Sequence, residues 1–203
     1  YALLRSDGTG GLELVLREGD SAPGAAGAEF DEPKGSQPAG LEHIVVSSTL
    51  RGEGVNFYND QGIWLWEDPG TLSLVARDGD PAPGTGPGVV FYNPAQFEAN
   101  SSGRLAFSST LTGPGVDSTN SDGIWFHDPT TGTELVARAG EPAPGTPSGT
   151  NFFRLSTPPE INDAGQIAFS ARTTAGAGSR PGGIWFADGP GEPLTARFLT
   201  GDA

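Results

Sequence analysis

A β-propeller built of four-stranded antiparallel units about 60 residues long is the fold this sequence predicts. Three observations predict it: a phrase that recurs at a near-constant step, apolar residues that alternate within that step, and Gly and Pro gathered at the same offsets in every copy. A β-solenoid or a pair of β-sandwiches are the alternatives that the same pattern leaves open.

The recurring phrase reads LVLREGDSAPG over Leu14–Gly24, LVARDGDPAPG over Leu74–Gly84 and LVARAGEPAPG over Leu135–Gly145, with a worn copy from Leu194 to Arg197. Its arginines, Arg17, Arg77, Arg138 and Arg197, advance by 60, 61 and 59 residues. Gly-Ile-Trp keeps the same step at Gly62, Gly123 and Gly183, and so does Ala-Phe-Ser at Ala106 and Ala168, with Val45-Val46-Ser47 as the first copy. These steps divide one repeat domain into a half unit (1–24) and units 25–84, 85–145 and 146–203.

The elements follow in order. The half unit carries two alternating runs, Tyr1–Leu4 and Leu12–Arg17, that read as the last two strands of a unit. In unit 85–145 a strand near Phe97–Ala99 meets a Ser101-Ser102-Gly103 turn and returns as Leu105–Leu111. The chain continues as Ile124–Phe126, then turns at Pro129–Gly132 into Glu134–Arg138. That is a meander of four strands joined by short Gly turns. Small Ala and Ser alternating with Phe and Leu on the second strand predict burial on both faces. The surplus length lies in the Ala-Pro-Gly connection, where Phe30, Phe91 and Phe152 read as pins holding a long loop down. Three and a half units leave strand edges unpaired, which invites association.

Composition bounds the rest. With 32 Gly and 18 Pro a helical protein is disfavoured, and a net charge of −14 points toward disorder, but 4 Trp and 11 Phe in alternating runs oppose that. The absence of Cys excludes disulfides, thiolate metal sites and a Cys nucleophile. A single Lys argues against nucleic acid and an anionic membrane surface. No apolar run approaches the roughly 18 residues that span a bilayer. The chain opens at Tyr1 without an initiator methionine, which predicts a processed or partial product.

The segments Asn100–Phe107 and Asn162–Phe169 both fit N-x-x-G-x-x-A-F. Together with the Gly-Ile-Trp and Ala-Pro-Gly phrases they resemble the tandem-repeat NxxGxxAF-containing proteins, bacterial secreted proteins whose C-terminal surface anchor varies. The resemblance spans the whole chain, although Gly40–Val46 in the first unit lacks the Asn and the Ala-Phe pair. It implies export, an extracellular or cell-surface location and a repeat fold, and it brings no activity. The motif itself needs only turn chemistry and core filling.

Candidate chemistry is sparse. Arg17, Arg77 and Arg138 each have an acid three residues on (Asp20, Asp80, Glu141) and read as Arg–carboxylate clamps tying strand to loop, with a ring of anion sites as the alternative. Asp60, Asp78, Asp80 and Asp122 sit in Gly-bearing turns, where ordinary turn chemistry competes with calcium binding; calcium is the one cofactor considered. Trp64, Trp125 and Trp185 share one strand position and read as core, whereas Trp66 stands out of register and is the aromatic to test as a glycan platform. Asp60–Trp64 is one residue short of a sialidase-type aspartate box. His43 and His127 lack metal spacing, no nucleophile elbow is present, and the sequon at Asn100 lies inside the turn motif.

The reading is therefore a non-enzymatic, exported propeller module with a structural or adhesive role, whose copies associate through open strand edges. Second comes a propeller that binds a glycan or small ligand at its hub, and a glycoside hydrolase is third.

Overall fold

A computed structural model describes residues 1–155, 158–174, 181–189 and 191–200, so the boundary drawn at Ala203 lies outside the described residues. Those residues form strands and turns without a helix. In chain order the strands are β1 (Ala2–Ser6), β2 (Leu12–Arg17), β3 (Ala28–Ala39), β4 (His43–Gly52), β5 (Gln61–Glu67), β6 (Thr71–Arg77), β7 (Val90–Ala99), β8 (Leu105–Thr112), β9 (Asp122–Asp128), β10 (Gly132–Arg138), β11 (Phe152–Leu155), β12 (Glu160–Ile161), β13 (Ile167–Thr173), β14 (Gly182–Ala187) and β15 (Thr195–Leu199). The protein is all-β.

Each repeat is one antiparallel meander. β1 pairs with β2; the following sheets run β3-β4-β5-β6 and β7-β8-β9-β10, and the last runs β11-β13-β14-β15 with β12 also paired to β13. Successive sheets pack through apolar clusters. Leu16 of the first sheet meets Phe30, Val46, Trp64 and Trp66 of the second. The opposite face of the second, with Val45, Ile63 and Leu65, meets Phe91, Leu105, Phe107 and Trp125 of the third. Ile124 and Ala137 of the third meet Phe152, Phe169 and Trp185 of the fourth. Neighbouring residues such as Val45 and Val46 thus point to opposite faces and both are fully buried, as the alternation of small and large side chains predicts.

Two expectations are corrected. Phe30, Phe91 and Phe152 do not pin a loop: they lie within the first strand of each sheet, edge-on to Trp64, Trp125 and Trp185 with ring centroids 4.9, 4.9 and 5.0 Å apart. Register shifts inside β3, β7 and β11 break the period-two pattern, which hides the start of these strands from a reading by alternation. The glycines before Ile-Trp are likewise inside strands, where space requires them. A Cβ on Gly62 or Gly123 would lie 2.7 or 2.3 Å from the ring of Trp64 or Trp125.

The Ala-Pro-Gly loop and the Trp belong to one device. The indole N–H of Trp64, Trp125 and Trp185 donates to the carbonyl of Pro23, Pro83 and Pro144 at 3.0, 3.0 and 2.9 Å. The following Gly24 and Gly84 hold a left-handed φ of 78° and press on the same sheet, where a Cβ would come within 2.6 Å of Leu74 or Leu135 Cβ, the cross-strand partners of those tryptophans. Each loop is thereby clipped and packed onto one sheet, the one that follows it in the chain.

The Asn-x-x-Gly segments are turns. Gly103 and Gly165 donate to the carbonyls of Asn100 and Asn162, and the Asn100 Oδ1 accepts from the amides of Ser102 and Arg104. Adjacent turns also join: Asn100 Nδ2 donates to the Asn162 carbonyl at 3.0 Å, and Ser101 donates to Asp163. Asn100 is buried, which leaves its sequon inaccessible. The first unit, lacking the Asn, turns at Gly40 with φ 74° instead.

Candidate functional site

The repeated arginines tie strand to loop, but by two different contacts. Arg17 pairs with Asp20 at 2.9 Å, the contact the spacing predicts. In the next two copies Nε donates instead to the carbonyl of Asn59 (2.8 Å) or Asn120 (2.9 Å), and no ion pair to Asp80 or Glu141 forms. Burial pushes the carboxyls of Asp80 and Glu141 above their ordinary values, and the neighbouring Arg77 and Arg138 only partly oppose it.

The four acids weighed as calcium ligands do not assemble. Among the described residues no three Asp, Glu or His side chains gather as a metal site. Asp60 and Asp78 are close enough to repel, and one oxygen of each is buried without a hydrogen bond. Asp78 is raised to about 6, first by burial, then by the Asp60 charge, against the hydrogen bond it accepts from the Asn93 amide. Asp122 belongs to the next sheet, where it faces Arg154.

Trp66 is no platform. It is 1% exposed, and the Arg5 guanidinium lies 4.0 Å from its ring centroid, held by Glu13 and Asp68. The two histidines stand in separate sheets: His43 lies 3.7 Å from Glu67, and His127 contacts Thr133 with its pKa lowered by burial.

A polar groove of about 670 Å³ lies between the third and fourth sheets. Its floor comes from β8 and β9, where the face that carries Ala106 and Ile124 deeper in the core changes to Ser108, Thr110 and Asp122 toward the strand ends. One wall is β7, whose two bulges bring out Asn93 and Gln96. These are the two non-glycine residues with positive φ, 59° and 49°, among those described. A left-handed Gln inside a strand is unfavourable, and the sheet holds it there on both sides. The Asn93 amide is anchored by Asp78, the Tyr92 carbonyl accepts from Ser109 and Thr110, and Ser108 Oγ lies 3.4 Å from Gln96 Oε1. The other wall carries Arg154, with Nε 3.8 Å from Asp122, and Arg172, whose Cα partners that of Arg154 across β11 and β13.

These groups can accept from and donate to a hydroxyl-rich ligand. Sequence reasoning singled out Asp122 but missed Asn93, Gln96, Arg154 and Arg172. A signal was present: two residues beyond the repeated Phe the units carry Glu32, Asn93 and Arg154, so the repeat departs from itself at one structural position.

No curated protein matches the chain. Among solved structures, one described as Zg3597, a family 117 glycoside hydrolase produced by the marine bacterium Zobellia galactanivorans, aligns at 14% identity and a TM-score of 0.45. The alignment covers 91% of this chain and 60% of that one, a likeness too distant to bear on fold or chemistry. A family profile matches residues 1–133 and again 126–197, so two successive matches together span nearly the whole chain. The chain belongs to a family of unknown function, DUF7453.

Proposed function

We propose that this chain is a non-catalytic module of an exported β-propeller whose groove between the third and fourth sheets binds a glycan or similar hydroxyl-rich small molecule. The observation that carries the reading is the groove itself, with Asn93 and Gln96 held left-handed on one wall opposite Arg154 and Arg172 on the other. Four-stranded meanders in chain order, each packed on the next, support successive blades. Export and surface display rest on the resemblance to NxxGxxAF proteins.

The non-catalytic reading is supported by the carboxylates. Glycoside hydrolysis commonly needs two across the scissile bond. The groove's lining holds one, Asp122, engaged by Arg154, while the Asp60–Asp78 pair is buried beyond the wall.

The test is a glycan array followed by calorimetry on the hits. Gln96→Ala and Arg172→Ala, both at exposed positions of the groove, should each weaken binding about tenfold, roughly one lost hydrogen bond, with the melting temperature kept. An array without hits, or hits insensitive to both substitutions, would refute the reading.

A further inference from the structure

The two outermost sheet faces are apolar and uncovered, and the repeat tells what covers such faces elsewhere in the chain. Consider the fourth sheet. Register places Ile184 at the position of Ile63 and Ile124, and Phe198 at that of Ala76 and Ala137. The four equivalents are 0, 0, 3 and 2% exposed because the next sheet lies on them, whereas Ile184 is 38% and Phe198 72% exposed. The shallow groove of about 500 Å³ beside them is lined also by Ser170, Arg172 and Thr200.

The first sheet shows the converse. Leu4 holds the position of Trp64 and Trp125, and Leu14 that of Leu74 and Leu135. Both tryptophans are fully buried against the preceding sheet, yet Leu4 is 50%, Leu14 44% and the neighbouring Leu12 72% exposed. Internally, therefore, one kind of face always meets the other: the Ile face of one sheet receives the Trp face of the following one.

We propose that a second copy of this chain covers these faces head to tail, the Leu4–Leu12–Leu14 face of one copy docking on the Ile184–Phe198 face of the next. Side-chain volumes fit that pairing. Within the chain a large Trp meets a small Ala at two joints, Trp125 with Ala76 and Trp185 with Ala137, and a Leu at the first, Trp64 with Leu16. At the outer faces the sizes are exchanged, with Phe198 where Ala stands and Leu4 where Trp stands, so the sum across the joint falls within the range of the internal ones. An isologous contact of two Phe198 faces would set large against large, and one of two Leu4 faces small against small. The contact is thus heterologous, and it leaves a free face at each end of any open stack. Exposed apolar patches rimmed by polar residues mark such surfaces, and burial of face against face, rather than pairing of strand edges, is what joins the copies.

The experiment uses the chain with Phe198→Asp in one preparation and Leu12→Asp plus Leu14→Asp in another, both at exposed positions. In sedimentation equilibrium the unsubstituted chain should gain mass with concentration, and each variant alone should remain a monomer at the same loading. An equimolar mixture should form a 1:1 dimer, because one partner keeps an intact Leu face and the other an intact Phe198 face. A monomeric unsubstituted chain at millimolar concentration overturns the proposal. So does a Leu12/Leu14 variant that still dimerises alone, which would mean Phe198 faces pair with each other, and so does a mixture that stays monomeric while each variant keeps its circular dichroism and melting temperature.

Discussion

Replacing Trp125 by Phe tests the account of how each loop is held to its sheet. The indole is fully buried, stands edge-on to Phe91 with centroids 4.9 Å apart, stacks on Phe107 at 5.9 Å and donates to the Pro83 carbonyl at 3.0 Å. Phe keeps a ring but removes the N–H, leaving a part-buried carbonyl without its donor at a cost of about 1–3 kcal/mol. The missing second ring adds about 1–2 kcal/mol for lost packing and residual cavity. The total, about 2–5 kcal/mol, converts at about 2–4 °C per kcal/mol for a chain of this size to a fall in melting temperature of roughly 4–20 °C. Far-UV circular dichroism during heating and in urea reads it, and Phe91→Leu with the double variant completes a cycle whose coupling should be about 0.5–1.5 kcal/mol. A loss under about 1 kcal/mol, or a coupling of zero, would show that the Phe–Trp–Pro clip does not hold the unit together.

Further outcomes follow from the charged groups. Asp78, raised to about 6 from 3.8, holds a proton in the folded chain that the unfolded chain releases. Its contribution is therefore fully present below about pH 4 and lost as pH rises through 6, worth up to about 3 kcal/mol; Asp80 and Glu141 shift in the same direction. Asp78→Asn should flatten the urea midpoint between pH 4 and 7 and raise it at pH 7, and an unaltered slope would refute the buried-carboxyl account. Arg77→Ala should cost about 1–2 kcal/mol through the Asn59 carbonyl it leaves unpaired, whereas Arg17→Ala, in a pair whose Arg side chain is 64% exposed, should cost under about 1 kcal/mol. Equal urea midpoints for the two variants would show that the carbonyl contact adds nothing.

Much of the fold was legible because its signals are local. The Gly-Ile-Trp and Ala-Pro-Gly phrases report the third strand and the loop after the fourth, and the structure has both where the step places them. The first strand was the exception. β7 starts at Val90, seven residues before the run that alternation marks, because the bulges around Asn93 and Gln96 throw successive side chains off the period of two. The same bulges make a wall of the groove, so the feature that hid the strand also hid the candidate site. Trp66 failed for a different reason: standing out of register says nothing about whether Arg5, 61 positions earlier in the chain, lies on its face.

By itself the sequence determined an all-β repeat, the length of its unit and part of its core, since period, turn chemistry and strand alternation are written in neighbours a few residues apart. Only the tertiary structure decided which charges meet and which faces stay open. Arg154 reaches Asp122, Asp78 anchors Asn93, and Phe198 is left exposed where Ala137 is buried. Each of those depends on how one sheet is set against the next, a relation that period and alternation within a single unit do not encode.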